Sequence, residues 1–302
     1  MIKTFLSGHP AMLNGSRPIS RRRSRSEMAR LRSTLVQIVE ENATVTVRQS
    51  FYLAVGRGAI DKTEAGYRTV VRLLTEMRIA GMIPFGSIAD NTRWMRKPRS
   101  FSSIEDALRT TAETYRRATW ENQAAYVEVW LEKDALAGVV YEETATWDVP
   151  LMVTRGYPSV SYLHAAAEVI GRCGKPACLY YLGDHDPSGL DIPRNVEARL
   201  REFAPRASIQ FQRLGVTPKQ IVELGLLTRP TKASDSRAKS FVGQSVEVDA
   251  IPPSKLRKLV RDAIEQHVNK RALQGLQIAE RSEREALSFL ASTWQTKIMP
   301  EH

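Results

Sequence analysis

The sequence predicts an α/β plus α protein built from two folding units, a small helical domain of winged-helix type and then a domain around a mostly parallel sheet. Three observations carry this. Apolar residues recur at helical spacing up to Met77 and are followed by the short run Ile83–Ile88, punctuated by Pro84 and Gly86. From Val127 onward, strand-like runs alternate with helix-like ones, the rhythm of a parallel sheet with helices on both faces. One of those runs, Leu179–Gly183, ends abruptly in Asp184 and Asp186, as a buried parallel strand does when it leaves the sheet.

Composition sets the partners. The chain has 302 residues, 42% hydrophobic, enough for two domains with real cores. The net charge is +11 and the isoelectric point about 9.8, which favours polyanions. No apolar run is long enough for a membrane span, and the N-terminus lacks the apolar core of a signal peptide. The two cysteines, Cys173 and Cys178, fit a reducing compartment and have no second pair to make a metal site. A cytoplasmic, nucleoid-associated protein is expected.

Residues 1–32 read as a basic flexible arm. It holds Arg17, Arg21, Arg22, Arg23, Arg25, Arg30 and Arg32 against Glu27 alone, with Ser and Pro interspersed. Such an arm binds phosphates by releasing counterions. Residues 33–99 are the predicted winged-helix domain. Ser33 is expected to cap a first helix ending near Asn42, and Thr44–Thr46 reads as a short strand or a cap. A second helix covers Val47–Val55, stopped by Gly56 and Gly58. A third opens at Thr63, buries Val70, Leu73, Leu74 and Met77, and ends at Gly81. Its other face carries Arg68, Arg72 and Arg78, making it the expected DNA groove reader, with Ile83–Ile88 as the β-wing.

Residues 100–124 form a connector with a helix from Ser103 to Thr119. In the unit 125–302, strands are expected at Val127–Glu132, Leu151–Thr154, Ala177–Gly183 and Ile209–Leu214. Helices follow at Asp134–Val140, Ser159–Ile170 and Ile192–Phe203, with Asp134 as a helix cap. A helical tail runs from Ser254 towards Trp294.

The first and third strands both end in acids, so Glu132, Asp184 and Asp186 are expected to meet beyond the carboxyl edge of the sheet, where ligands of open α/β folds gather. Clustered hard oxygens in a basic protein suit Mg²⁺, which can clamp a phosphodiester oxygen as a Lewis acid. Lys133 reads either as a phosphate neutraliser or as exposed. In the helical domain, Arg48 and Tyr52 are four apart and share a helix face, so a guanidinium stands ready beside a phenolic nucleophile. Phe51 reads as core.

These residues resemble the A subunit of type IIB DNA topoisomerases, the topoisomerase VI family that includes the meiotic double-strand-break protein. Glu132-Lys-Asp-Ala135 and Asp184-His-Asp-Pro-Ser-Gly189 resemble its two Toprim motifs, and Arg48-Gln-Ser-Phe-Tyr52 its nucleophile motif. Arg155-Gly-Tyr-Pro158, Lys232 with Asp235, and Glu247-Val-Asp-Ala-Ile251 match further segments, in order, over roughly Val47–His267. The family often has an acid where Gln49 stands and a tyrosine where Phe51 stands. The chain is shorter than a usual A subunit and is similar to the compact stand-alone forms called Mini-A.

The resemblance implies a Toprim domain and a homodimer in which Tyr52 of one subunit works with the acids of the other. It implies a Mg²⁺-dependent, tyrosyl-linked double-strand break in DNA, Tyr52 and Arg48 being catalytic and Glu132, Asp184 and Asp186 holding the metal. Strand passage driven by ATP implies a separate ATPase subunit, since this chain has no recognisable ATPase module. Two rival readings use the same residues differently: a Toprim nuclease with metal-activated water, and a non-catalytic DNA-binding protein.

Overall fold

The structure is a computed structural model and describes residues 23–89, 98–230, 241 and 243–298, with side chains to residue 294. Arg21, Arg22, Lys232 and Asp235 lie outside the described residues.

The first helix starts earlier than expected. Ser24 and Glu27 form a reciprocal capping box, so α1 runs Arg25–Asn42 and takes in the last quarter of the expected arm. Glu27, read from sequence as a lone counter-charge, is half of that cap. Leu31, Leu35 and Ile38 then supply a buried stripe that ties the helix down. Thr46 caps α2 (Val47–Gly56) in a second capping box with Gln49, and Thr63 caps α3 (Glu64–Ile79). The faces of α1–α3 close on one core with Phe51, Tyr52, Val70, Leu73 and Met77.

The expected β-wing is a tighter object. Residues Phe85–Ser87 form a 3-10 turn, and Ile88 makes one isolated parallel bridge to Val45. Pro84 offers no N–H to a ladder, which leaves this segment short of a hairpin. The connector helix α4 (Ile104–Thr114) also stops sooner than predicted. At its end, Tyr115 and Arg117 leave the helix to bond Glu283 and Glu280 on the last helix of the chain.

The second unit holds a sheet of four parallel strands in the order β2-β1-β3-β4: β1 Tyr126–Leu131, β2 Leu151–Val153, β3 Ala177–Leu182 and β4 Ile209–Gly215. Both faces are covered, which is why β1 and β3 read as continuous apolar runs. Val127, Val129, Leu131, Tyr180 and Leu182 pack with α5 (Ala137–Thr146) and α9 (Pro253–Glu265) on one face. Trp130, Leu179 and Tyr181 pack with α6 (Val160–Arg172) and α7 (Pro187–Phe203) on the other. Each fully buried aliphatic side chain contributes about 1.5–3 kcal/mol to this arrangement.

The short α8 (Pro218–Glu223) follows β4, and the tail is two helices, α9 and then α10 (Lys270–Ile298), which packs along α4. Among the described residues no helix is long and apolar enough to cross a membrane.

The strand order matters most for function. The chain goes from β1 outward to β2 on one side, then crosses to place β3 on the other side of β1. The crossover helices leave on opposite faces, so a crevice opens at the carboxyl ends of β1 and β3. Glu132 follows β1 directly, and Asp184 comes two residues after β3.

Candidate active site

The carboxyl edge of the sheet is packed too tightly there to admit side chains at two positions. A Cβ on Gly183 would stand 2.5 Å from Oε2 of Glu132, and one on Gly189 would stand 2.2 Å from the backbone oxygen of Asp184. These glycines let the β3–α7 turn close against β1. Arg213 of β4 locks the turn by donating to the carbonyl oxygens of Gly183 and Gly189, each at 2.8 Å.

Within this turn the acids take separate tasks. Glu132 Oε2 accepts the backbone N–H of Asp184 at 3.1 Å and the Tyr181 hydroxyl at 3.4 Å. Asp184 Oδ1 accepts the N–H of Val248 at 2.9 Å and an ion pair from Lys133 at 3.1 Å. Asp186 is the N-cap of α7, its Oδ1 accepting from Gly189 at 2.8 Å, while Oδ2 faces Arg229 at 3.4 Å. Asp134 caps nothing; it pairs with Arg155 at 3.0 Å because the first turn after β1 is a 3-10 turn led by Lys133.

Burial, and then the Asp184 charge, push the Glu132 carboxyl up to about 7. Burial also raises Asp184, although Lys133 opposes it. Lys133 is far from exposed: its ammonium lies among Asp249 at 2.7 Å, Asp184 at 3.1 Å and Glu247 at 3.4 Å. Burial alone would lower its pKa, but these three acids outweigh burial and hold it protonated.

The helical domain reaches the same place through α2. Arg48 and Tyr52, one turn apart as expected, both end on Oε2 of Glu247, at 3.2 and 3.0 Å. Arg48 also stacks on Tyr67, 4.8 Å from the ring centroid. Tyr52 is only 7% exposed, and burial followed by the Glu247 charge pushes its phenol up to about 12. Glu247 itself is held below the usual carboxylate range: burial works against this, but Lys133, Arg48 and Arg229 prevail. The tyrosine therefore faces the acids of its own chain. A cavity of about 520 Å³ opens beside the group, lined by Arg48, Tyr67, Arg78, Lys133, Glu247 and Asp249.

The resemblance implies that Tyr52 serves the acids of another subunit, whereas here Arg48 and Tyr52 reach Glu247 of their own chain. Lys133, which the sequence leaves open between phosphate and solvent, and Glu247, matched only as part of a segment, join them to Asp184 together with Arg229, which sequence reasoning missed. The alternation Glu247-Val-Asp249 in an apolar stretch carried a signal, two acids pointing one way; Arg229 carried none. Among the described residues, no three of His, Cys, Asp or Glu stand close enough to make a ready-formed metal site. Of the residues expected to contact DNA, Arg25 is exposed in the first turn of α1 and Arg23 pairs with Asp61 at 3.6 Å. Arg68 and Arg72 pair with Glu64 and Glu76 on their own helix, at 3.6 and 2.8 Å. Arg78 lies over Phe85, 5.7 Å from its centroid, on the cavity rim. Compared with known proteins, the chain matches no family model and no curated protein.

Proposed function

We propose that this chain is a topoisomerase-like DNA transesterase, in which a winged-helix domain presents Tyr52 to a Toprim-type acidic crevice. The observation that carries the reading is the convergence of Arg48 and Tyr52, from α2, on Glu247, which Lys133 links to Asp184 at the end of β3.

The carboxylates suit a hard divalent cation by their chemistry, although among the described residues they do not stand together as a ready-formed site. Glu132 Oε1 and Asp184 Oδ2 accept no hydrogen bond from the described residues, and burial, with the Asp184 charge second, makes the Glu132 carboxylate costly to ionise without a cation beside it. Mg²⁺ would be held by Glu132, Asp184 and Asp186, where it supplies Lewis-acid stabilisation of charge on a phosphodiester oxygen. Arg48 orients and neutralises the phosphate. The Tyr52 oxygen bonds to phosphorus, the P–O3′ bond breaks, the phenolic proton leaves to solvent, and the departing 3′ oxygen takes one up. The enzyme is left on the 5′ end. Each chain contributes one Tyr52, so cutting both strands takes a homodimer, and ATP-driven strand passage takes a separate ATPase subunit.

Denaturant quenching in Mg²⁺ with supercoiled DNA tests this directly. Wild type should remain covalently on DNA, and Tyr52→Phe should leave none. The second reading, hydrolysis by metal-activated water, is favoured by the phenol standing at about 12, since so weak an acid is a poor nucleophile at neutral pH. Cutting by Tyr52→Phe at the wild-type rate would establish it.

The arm gives a second test. Because Ser24 caps α1, the removable part is residues 1–22, with Arg17, Arg21 and Arg22. If these three contact phosphates, their deletion lowers the slope of log affinity against log salt by about 2–3. An unchanged slope assigns the arm no phosphate contact.

A further inference from the structure

The carboxylate of Glu247 is surrounded in an unusual way. Arg229 donates to Oε1 at 2.8 Å, while Oε2 receives Arg48 at 3.2 Å, Lys133 at 3.4 Å and the Tyr52 hydroxyl at 3.0 Å. Three cations and a phenol thus converge from three parts of the chain, α2, the turn after β1 and the segment after α8, on one acid that is only 7% exposed at its side chain. One carboxylate cannot neutralise three cations. Lys133 has Asp249 and Asp184 as further partners and Arg229 has Asp186, so these two do not depend on Glu247 for charge balance, while Arg48 has its ion pair with Glu247 alone among the described residues. Arg229 also keeps its Nε buried without a hydrogen-bond partner among the described residues. Donors in this number, opening on a cavity, suit a monoanion bulkier than a carboxylate, such as a phosphodiester, whose two charged oxygens are spread over a tetrahedral centre that donors can approach from several sides.

We propose that Glu247 is an internal stand-in for a DNA phosphate: Arg48, Lys133, Arg229 and Tyr52 form the phosphodiester-binding site, and the nucleic acid enters it by displacing this carboxylate. The proposal rests on the nucleic-acid reading above and adds to it two phosphate ligands, Lys133 and Arg229, and a competitor that DNA must evict. It also accounts for the resting arrangement. While Glu247 is seated, Arg48 is occupied and the phenolic hydrogen is directed at a carboxylate. When a phosphate takes its place, the same donors bring phosphorus to the phenol oxygen.

The test is a pair of substitutions read by the binding of the full-length protein to a short fluorescent duplex, in chelator so that no cutting occurs. Glu247→Gln keeps the shape and removes the competing charge, and should tighten binding by about tenfold. Arg229→Gln removes a phosphate donor from the same cluster and should weaken binding by a similar factor. Opposite signs are the expected result. If both substitutions weaken binding, or neither changes it, with unfolding midpoints near wild type, Glu247 is merely a clasp between the domains and the proposal falls. If Glu247→Gln does not fold, Arg229→Gln decides by itself: unchanged affinity overturns the site. Covalent trapping reports independently. The expected signs without trapping leave the phosphate site standing and remove the tyrosine chemistry, and the reverse pattern does the opposite.

Discussion

Glu132→Gln is expected to make the protein more stable at pH 7 and unable to cut DNA. Both effects follow from where the carboxyl sits. Its ordinary pKa of 4.5 is raised to about 7 by burial and by Asp184. An acid raised on folding holds its proton better in the folded state, so folding stability falls as pH rises from 4.5 to about 7. A shift of this size corresponds to about 3 kcal/mol at most, present at low pH and lost by neutrality. Glutamine has no proton to lose and can still accept the Asp184 N–H through its amide oxygen. Urea unfolding in chelator at pH 5 and pH 7.5 should therefore show a decline in wild type and a shallower one in the variant, where the raised Asp184 still titrates, the variant being the more stable at pH 7.5. If the proposed function holds, the same substitution also removes a metal ligand, and cleavage in Mg²⁺ should drop by about 100-fold or more while duplex binding is largely kept. A variant that is destabilised at pH 7.5 would contradict the electrostatic account of the crevice, and one that still cuts would contradict the metal assignment.

The parts of this site that could be read from sequence are those whose geometry is local. A strand must end somewhere, and Leu179–Gly183 followed by two acids and a proline marks the place without any tertiary information. Arg48 and Tyr52 share a face because a helix repeats every 3.6 residues. Thr46 and Thr63 announce helix starts by their chemistry, and both do cap helices. Ser24 and Glu27 carried the same signal but sit in a run of arginines, so charge composition suggested a free arm where a capping box and Leu31 anchor a helix. Asp186 is a case of two readings meeting: it is a helix cap and it also faces the crevice through its second oxygen. The other misses are non-local. Lys133 looked equally suited to solvent, because its burial is created by Asp249 and Glu247, more than a hundred residues downstream. Tyr115 and Arg117 end α4 early because of partners on α10. No pattern within a short window contains such contacts.

Lys133→Met should give the largest loss of stability of any substitution in the crevice, about 3–5 kcal/mol at neutral pH. Methionine matches the length of the side chain, so packing is nearly preserved and what disappears is the charge. Asp249, at 2% side-chain exposure, loses its 2.7 Å partner, and Asp184 and Glu247 lose the cation they share. Three buried carboxylates are then left close together, with Arg48 and Arg229 still on Glu247 but no cation on Asp249 among the described residues. Their pKa values must rise, so the damage depends on pH in a definite sense. Protonation relieves the repulsion, and the deficit relative to wild type should be greatest at neutral pH and shrink as pH falls towards 5. Urea midpoints of the two proteins at pH 5 and 7.5 measure this. A deficit equal at both values would mean that Lys133 matters through the packing of its alkyl chain. A deficit that shrinks would identify its ammonium as the charge that lets a parallel sheet end in so many acids, and would explain why a lysine directly beside Glu132 is compatible with the proposed cation site: it neutralises Asp249 and Glu247 and leaves Glu132 Oε1 and Asp184 Oδ2 for the ion.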